Sequence, residues 1–227
     1  MSRTGQKFLG TTPNLAEQPR KKRVAILISG RGSNMAALIE AARHPDYPAT
    51  IVGVFSNRSA APGLELAAAN GIPTRSLAQS AYPSREAYDE ALHELLTHWD
   101  AEIICLAGFM RLLTPEFTLR WMGRMINIHP SLLPLFKGLD PHGQALAAGA
   151  TSHGCSVHFV TPEMDGGPVI AQAKIPVFPD DTTETLTQRV LAEEHRLYPA
   201  VLAALASGRV RLEGDKVVLA PGALVAT

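Results

Sequence analysis

The amino-acid sequence predicts an α/β protein built on a doubly wound, mostly parallel sheet, with antiparallel strands in its C-terminal half. A continuous apolar, β-branched run at residues 24–28 is typical of a strand that is buried on both faces of a parallel sheet. Apolar strands then alternate with helical patterns as far as residue 127, as in successive βαβ units. Beyond that residue two β segments follow each other without a helix between them, which favours an antiparallel pair.

The first half of the chain carries the alternating pattern. A glycine-rich turn at residues 29–34 separates the first strand from a helix-prone segment, and the order of strand, turn and helix then recurs. The predicted strands span residues 24–28, 50–56, 102–107 and 124–127, and the predicted helices span residues 35–42, 63–69 and 84–98. The strand at 124–127 should be the last buried parallel one, and Pro130 should break it because proline cannot donate to a strand ladder.

The second half of the chain changes character. Asp165-Gly166-Gly167-Pro168 is a run of turn-forming residues between two apolar segments. Threonine can cap a helix because its oxygen accepts from the free amides of the first turn. The predicted elements are strands at residues 153–161 and 169–177, a long helix that Thr182 or Thr183 caps and that runs to about Ala206, and a hairpin of residues 209–212 and 216–219.

Length, charge and cysteine content limit the function classes. The 227 residues suffice for one substantial core, and we expect a single domain at residues 23–227 after a disordered N-terminal extension at residues 1–22. Acidic and basic residues number 21 each, so no summed field attracts nucleic acid or an anionic membrane. No apolar stretch reaches membrane-spanning length and no secretory signal is visible, so we expect a cytoplasmic protein. Cys105 and Cys155 lie in apolar runs and predict buried free thiols.

The turn after the first predicted strand is a candidate phosphate site. Gly32, Ser33 and Asn34 would place backbone amides at a helix N-terminus, where they can hold an anion. Met35 occupies the last glycine position of the dinucleotide fingerprint GxGxxG, and no GK[ST] follows, so a phosphate monoester fits best. The alternative is a tight turn that Ser33 or Asn34 caps and that binds no ligand. The loop alone leaves both interpretations open.

Asn127 and His129 lie two residues apart at the end of a predicted strand, so their side chains share one face. An amide donor beside an imidazole suits acyl transfer, because the amide can stabilise an oxyanion while the ring moves a proton. Asp165, in its glycine-flanked turn, can bring a carboxylate to the carboxyl edge of the sheet and hold His129 in its protonated form. We therefore predict that Asn127, His129 and Asp165 form a catalytic trio.

A metal site is the competing interpretation of the histidines. His153, Cys155 and His158 are close in sequence, but alternation along a strand would turn His153 and Cys155 to one face and His158 to the other. The sequence has no HExxH motif and no paired CxxC. We therefore expect no metal.

Five short motifs occur in order along the chain. They are Ser29-Gly-Arg-Gly-Ser-Asn34, Ala107-Gly-Phe-Met-Arg111, Asn127-Ile-His-Pro-Ser-Leu-Leu-Pro134, Ser156-Val-His-Phe-Val160 and Asp165-Gly-Gly-Pro168. Together they resemble the phosphoribosylglycinamide formyltransferase family, over a range from about residue 23 to about residue 212. The resemblance implies a Rossmann-like formyltransferase fold in a monomer or homodimer. It also implies transfer of a formyl group from 10-formyltetrahydrofolate to the primary amine of glycinamide ribonucleotide in purine biosynthesis, without a metal.

The resemblance gives a role to each matching position. Asn127 would polarise the formyl oxygen, His129 would assist its charge and proton movements, and Asp165 would position His129 and an ordered water. The implied contacts with glycinamide ribonucleotide are Gly32, Ser33 and Asn34 at the phosphate, Glu194 at the ribose hydroxyls, and Pro130; those with the folate are Arg85, Met110, Arg111, Leu112, Leu113 and Val160. Arg85 and Arg111 would otherwise be ordinary surface arginines, and Glu194 would otherwise lie on a solvated helix face.

One loop departs from the resemblance. Many relatives carry a histidine where this chain has Asp140 and a basic residue where it has Gly143. The loop borders the predicted site, so its hydrogen bonding should differ from theirs, while the trio is unaffected.

The nearest alternative function is a formyltetrahydrofolate deformylase, which would use water as the acceptor in place of an amine. Such hydrolases usually carry a further N-terminal regulatory domain, for which this chain has no room. An initiator transfer RNA formyltransferase would need a separate RNA-binding domain and a basic surface. A non-catalytic phosphate sensor would have no use for the predicted trio.

Overall fold

The computed structural model describes residues 20–224, and its centre is a seven-stranded sheet. The strands are β1 (Lys22–Ile28), β2 (Ala49–Ser56), β3 (Thr74–Ser76), β4 (Ile103–Leu106), β5 (Met125–His129), β6 (Ser152–Phe159) and β7 (Val169–Pro176). The helices are α1 (Ser33–Ala42), α2 (Pro62–Ala69), α3 (Arg85–His98), α4 (Pro115–Arg120), α5 (Pro141–Ala147) and α6 (Thr183–Ala206). The strand order is β3-β2-β1-β4-β5-β6-β7. A separate hairpin pairs β8 (Val210–Glu213) with β9 (Lys216–Leu219).

Helices cover both faces of the sheet, as a doubly wound fold requires. Side chains of α1, α2 and α6 pack with one face in the larger apolar cluster, and those of α3 and α4 pack with the other face. The central strands are therefore buried on both sides, and Val24 through Ile28 are fully buried. The predicted fold class is confirmed.

The sheet changes its direction of growth at β1. Strands β2 and β3 extend it on one side and β4 and β5 on the other, all in parallel. In sheets of this kind, ligands bind beyond the carboxyl ends of the strands at such a switch point. The loops that follow β1 and β4 meet there. Strands β6 and β7 then pair antiparallel, which confirms the predicted change of character in the second half.

Glu102 fastens the beginning of β1. Its carboxylate accepts hydrogen bonds from Arg20, from Lys22 and from the amide of Arg23. Burial would raise the pKa of Glu102, but these bonds outweigh burial and lower the pKa to about 2. Because the folded pKa is depressed, the stabilisation is present above the unfolded pKa and is lost as the pH falls towards 2. Residues 1–19 of the expected extension lie outside the described residues, whereas Lys22 is already in the strand.

The last long helix ties the neighbouring strands together. It begins as predicted, with Thr182 and Thr185 forming a reciprocal capping box. The fully buried Tyr198 hydroxyl lies 2.9 Å from the carbonyl of Leu106 in β4 and 3.1 Å from that of Ile126 in β5. The hydroxyl therefore links β4 and β5, the two strands whose carboxyl ends border the site.

Most sequence-predicted elements are confirmed within a few residues, and four short ones were missed, one of them a 3₁₀ helix at Gln79–Ala81. β3 has three residues, and α4 and α5 are helices of six and seven residues whose first residues are Pro115 and Pro141. Such short elements give no periodic signal. Strand β5 extends to His129, two residues beyond the predicted end, and stops at Pro130. Cys105 and Cys155 are buried free thiols, as predicted, and burial raises the pKa of each to about 12. None of the helices within residues 20–224 has the length and apolar character needed to cross a bilayer.

We predict that Tyr198→Phe lowers the free energy of unfolding by about 1–2 kcal/mol, because two buried carbonyls lose their shared donor. Denaturant unfolding followed by circular dichroism measures the change. Tyr47→Phe is the matched comparison, because the Tyr47 hydroxyl donates to one carbonyl only, that of Pro199, so its removal should cost less. Equal stability of Tyr198→Phe and the unmodified protein would contradict the tie between β4 and β5.

Candidate active site

Asn127 and His129 share a face of β5, as predicted, and the antiparallel partner strand adds a third side chain. The register of β5 and β6 sets Asn127 directly opposite His158. The two side chains lie in contact, with 3.1 Å between Asn127 Nδ2 and His158 Nε2. His158 was considered at the level of sequence only as a metal ligand, and the structure places it in the centre of the predicted site.

The backbone fixes the proton on His158 and thereby the orientation of Asn127. His158 Nδ1 lies 2.8 Å from the carbonyl oxygen of Phe159, which can only accept, so Nδ1 carries the proton. His158 Nε2 is then an acceptor and takes one N–H of the Asn127 amide. Burial lowers the pKa of His158, so the ring stays neutral at neutral pH. The second N–H of Asn127 remains available for a ligand.

His129 lies between two acceptors. Its Nε2 is 3.0 Å from the carbonyl oxygen of Phe136, and its Nδ1 is 3.5 Å from Asp165 Oδ2. The ring is buried, at 5% exposure. An imidazolium, which carries a proton on each nitrogen, satisfies both neighbours. The predicted pairing of His129 with Asp165 is therefore present in the geometry.

The turn after β6 delivers the Asp165 carboxylate. Asp165 Oδ2 accepts from the amide of Gly138 at 3.0 Å, and Oδ1 lies 3.8 Å from His158 Nε2. Asp165 has φ of 50°, a left-handed conformation that aspartate tolerates better than most residues. Gly167 is required by space, because a Cβ there would lie 1.8 Å from the carbonyl oxygen of Phe159. Gly167 therefore lets the turn fold back tightly onto β6.

The candidate phosphate loop follows β1 at the switch point. Gly32 precedes α1 with φ of 76° and ψ of 35°, and no side chain caps the helix. Neither Ser33 nor Asn34 therefore caps the helix, so that part of the alternative interpretation is wrong. The first amides of α1, including those of Ser33 and Asn34, have no partner within the helix and can bind an anion.

Asn34 directs its side chain away from the helix terminus and towards α6. Asn34 Nδ2 donates to Glu194 Oε2 at 2.7 Å. Glu194 is 5% exposed, so the alternative of a solvated helix face is wrong. Burial raises the pKa of Glu194 to about 7, although the bond from Asn34 opposes the rise. Asn34 Oδ1 is buried without a hydrogen-bond partner among the described residues, which leaves an acceptor beside the loop.

The loop after β4 holds four of the predicted folate residues, Met110, Arg111, Leu112 and Leu113, whereas Arg85 begins α3 and Val160 follows β6. Met110 and Leu112 expose their side chains, at 61% and 60%, while Leu113 and Val160 are half-buried and pack against the core. Arg85 is exposed and donates to the carbonyl of Leu112 at 2.8 Å. The loop therefore presents apolar side chains to solvent although its backbone is held.

Arg111 is not a surface arginine, so the alternative interpretation of this residue is wrong. Its side chain is 8% exposed, its guanidinium stacks 3.9 Å from the centre of the Tyr88 ring, and Nη2 lies 3.6 Å from Asp89 Oδ1. Nε and Nη2 have no hydrogen-bond partner among the described residues. The aromatic face and the carboxylate compensate the buried charge.

The loop that departs from the resemblance, residues 137–144, is held by hydrogen bonds of its own side chains. Asp140, with φ of 53°, accepts from the amide of Gly143 at 3.1 Å and so caps α5. His142 Nδ1 lies 3.1 Å from His153 Nε2, and burial lowers the pKa of His153 to about 4. Residues 20–224 contain no cluster of three or more histidine, cysteine, aspartate or glutamate side chains suited to a metal ion.

The arrangement combines four chemical capacities at one edge of the sheet. It offers an oriented amide donor, an imidazole beside a carboxylate, a free helix N-terminus for an anion, and an apolar rim for a flat ring. Sequence reasoning predicted these four capacities but missed that His158 orients the Asn127 amide. The signal for His158 was available: in an antiparallel pair its position opposite Asn127 requires only the correct register.

Comparison with known proteins places the chain among formyl transferases. The sequence model of the family described as formyl transferase matches residues 22–202. The chain is 49% identical over 189 residues to the phosphoribosylglycinamide formyltransferase of Escherichia coli strain K12, which is 83% of this chain and 89% of that protein. It is 50% identical over 204 residues to the trifunctional purine biosynthetic protein adenosine-3 of Bos taurus, which is 89% of this chain but 20% of that protein. The chain thus spans about a fifth of that longer relative.

Solved structures agree with the sequence comparison. Glycinamide ribonucleotide transformylase 1 from Symbiobacterium toebii matches with a TM-score of 0.87 and 43% identity, over 91% of this chain and 98% of that one. A formyltetrahydrofolate deformylase from Pseudomonas syringae pv. tomato has a TM-score of 0.82 but 28% identity, over 89% of this chain and 67% of that one. The resemblance seen in the five motifs is confirmed, and the chain belongs to the formyl transferase family.

Proposed function

We propose that this chain transfers the formyl group of 10-formyltetrahydrofolate to the primary amine of glycinamide ribonucleotide, giving formylglycinamide ribonucleotide and tetrahydrofolate in purine biosynthesis. The observation that carries the proposal is the convergence of Asn127, His129 and Asp165 at the same sheet edge as the phosphate loop. The phosphate loop follows β1 and the trio follows β5, with only β4 between them. Two strand spacings amount to about 10 Å, a distance that one nucleotide can bridge.

The acceptor substrate would contact both the phosphate loop and the trio. Its phosphate would accept hydrogen bonds from the free amides of Ser33 and Asn34, and Gly32 would let it approach the backbone closely. Glu194 would receive the ribose hydroxyls, since its carboxylate is already oriented by Asn34. Pro130, half-buried directly after His129, would border the amine. The nucleotide thereby reaches the trio with its amine first.

The donor substrate would lie against the loop after β4. The flat ring of 10-formyltetrahydrofolate fits an apolar wall of Leu112, Leu113 and Val160, with Met110 at the rim. The positive charge of Arg85, on the exposed side of the same loop, would attract the glutamate tail. Arg111 is buried, so we assign it to the wall of the cleft and not to that tail.

The chemistry follows from the oriented groups. The amine nitrogen attacks the formyl carbon and forms a tetrahedral oxyanion, which the free N–H of Asn127 and the His129 ring stabilise. The new C–N bond stays, the bond from carbon to N10 of the folate breaks, the amine loses a proton and N10 gains one. Asp165 supports the positive charge of His129 throughout. No step requires a metal.

Incubation of the purified protein with both substrates tests the proposal directly. Formylglycinamide ribonucleotide should accumulate in proportion to tetrahydrofolate. Formate release that needs no glycinamide ribonucleotide would instead support the deformylase, the second candidate, which its fold similarity at 28% identity keeps in view.

Asn127→Ala should lower kcat by about a hundred- to a thousandfold, because it removes the oriented oxyanion donor. Steady-state kinetics under saturating substrates measure the loss, and circular dichroism should show an unchanged fold. Asn70→Ala, at the end of α2, is the matched control and should retain full turnover. A well-folded Asn127→Ala protein with near-normal kcat would remove Asn127 from the mechanism.

Asp165→Asn should lower kcat by at least about a hundredfold. Asparagine fits the left-handed backbone and keeps an acceptor for the Gly138 amide, so the loss would report the missing negative charge beside His129. Asp215→Asn, an equally conservative change in the exposed turn of the hairpin, should have no effect. Equal rates for both variants would exclude a role for the Asp165 charge.

Acceptor binding should weaken in acid because of Glu194. Its pKa is raised to about 7, so the carboxylate is ionised above that pH and becomes protonated below it, losing an acceptor for the ribose hydroxyls. We expect the KM for glycinamide ribonucleotide to rise as the pH falls from about 8 to about 6. Glu194→Gln should give a higher KM that no longer varies with pH in this range. Glu193→Gln, its neighbour paired with Arg196, should keep the pH dependence; the same flat profile in both variants would refute the assignment.

A further inference from the structure

The loop of residues 107–114 has no helix or strand, yet side chains from elsewhere hold it at three backbone positions. Arg85 binds the carbonyl of Leu112 at 2.8 Å, and Asp89 Oδ2 accepts from the amide of Thr114 at 2.7 Å. Both of these residues belong to α3. The third tether is the amide of Met110, which donates to Ser29 Oγ at 2.7 Å.

Ser29 differs from the other two tethers in its origin. It directly follows β1 and opens the segment that leads to Gly32 and α1. Its hydroxyl donates to Asn57 Oδ1 at 2.5 Å, just beyond β2, while it accepts from Met110 just beyond β4. The side chain is buried, with the residue 4% exposed. One hydroxyl therefore joins the ends of three adjacent parallel strands at the switch point.

The hydroxyl is fully committed by these partners. Its one proton points at Asn57, so a lone pair faces the Met110 amide, and rotation would break both bonds. Buried donors that lose their acceptor are costly, so the loop is held at Met110 as long as Ser29 keeps its oxygen. The two loops on either side of the switch point are thus joined through a single side chain.

We propose that Ser29 is a positioning residue that fixes the donor-binding loop relative to the acceptor-binding loop, and that it sets the affinity for the folate without touching the reacting atoms. The proposal rests on the function proposed above, because it assigns the loop of Met110 to the folate. Because the Asn127, His129 and Asp165 contacts do not include Ser29, removing its hydroxyl should affect folate binding far more than the chemical step.

Ser29→Ala is the direct test. We expect the KM for 10-formyltetrahydrofolate to rise by about tenfold, which corresponds to about 1.4 kcal/mol, while kcat and the KM for glycinamide ribonucleotide change by less than about twofold. A merely structural role would lower the amount of folded enzyme and leave both KM values unchanged. Hydrogen exchange of the peptide that covers residues 107–114 should become faster in the variant, whether or not substrates are present.

Ser56→Ala is the matched control. Ser56 ends β2, is fully buried and accepts from the amide of Arg58 at 3.0 Å, so it loses an equivalent bond in a loop that holds none of the proposed folate residues. Its KM for the folate should not change. Asn57→Ala, at a half-buried position, frees the Ser29 proton and should raise the same KM by a smaller factor, and it decides the question if Ser29→Ala does not fold.

The outcomes separate the two proposals. Absence of formylglycinamide ribonucleotide with the unmodified protein would refute the proposed function, and the exchange measurement would still report on the tether. An active Ser29→Ala protein with the original KM for the folate, or an active Asn57→Ala protein with that KM where Ser29→Ala does not fold, would overturn the role of Ser29. An equal rise in both KM values would also overturn it, because the effect would then not be specific to the donor loop.

Discussion

The antiparallel register of β5 and β6 is the constraint on which the candidate site depends. It sets Asn127 opposite His158, and the carbonyl of Phe159 then fixes the His158 proton and, through it, the amide. Strand β6 leads into the turn that places Asp165 beside His129. A slip of β6 by one residue would turn His158 to the other face, away from Asn127. The orientation of the Asn127 amide, the proposed oxyanion donor, is therefore a property of the sheet and needs no substrate to induce it.

The parallel half of the sheet would meet the second requirement of the proposed reaction, which is to bring two substrates to Asn127. The change of direction at β1 opens a crevice between the loops after β1 and β4. Tyr198, in α6, binds carbonyls of β4 and β5, and Ser29, at the end of β1, binds the loop after β4. The proposed catalytic residues Asn127 and His129 thus lie on a strand, while the loops proposed to bind the substrates are held by buried polar side chains.

Much of this could be predicted from sequence, for physical reasons. Buried parallel strands are continuously apolar, so β1 and β4 were visible, and period-two alternation put Asn127 beside His129. What escaped depends on contacts between distant residues. The burial of Arg111 against Tyr88 and Asp89, and that of Glu194 against Asn34, arise from tertiary packing of residues that are otherwise typical of surfaces. Helices α4 and α5 escaped because two turns or fewer carry no recognisable period.

The hydrogen bond by which Asp140 caps α5 depends on the residue at position 143. A Cβ at position 143 would lie 2.2 Å from Asp140 Oδ2, so any side chain there must evict the carboxylate from the amide that it caps. The cap on α5 therefore needs two residues at once, a carboxylate at position 140 and a glycine at position 143. A change at either position removes the hydrogen bond, so the effects of substitutions at the two positions should not add independently.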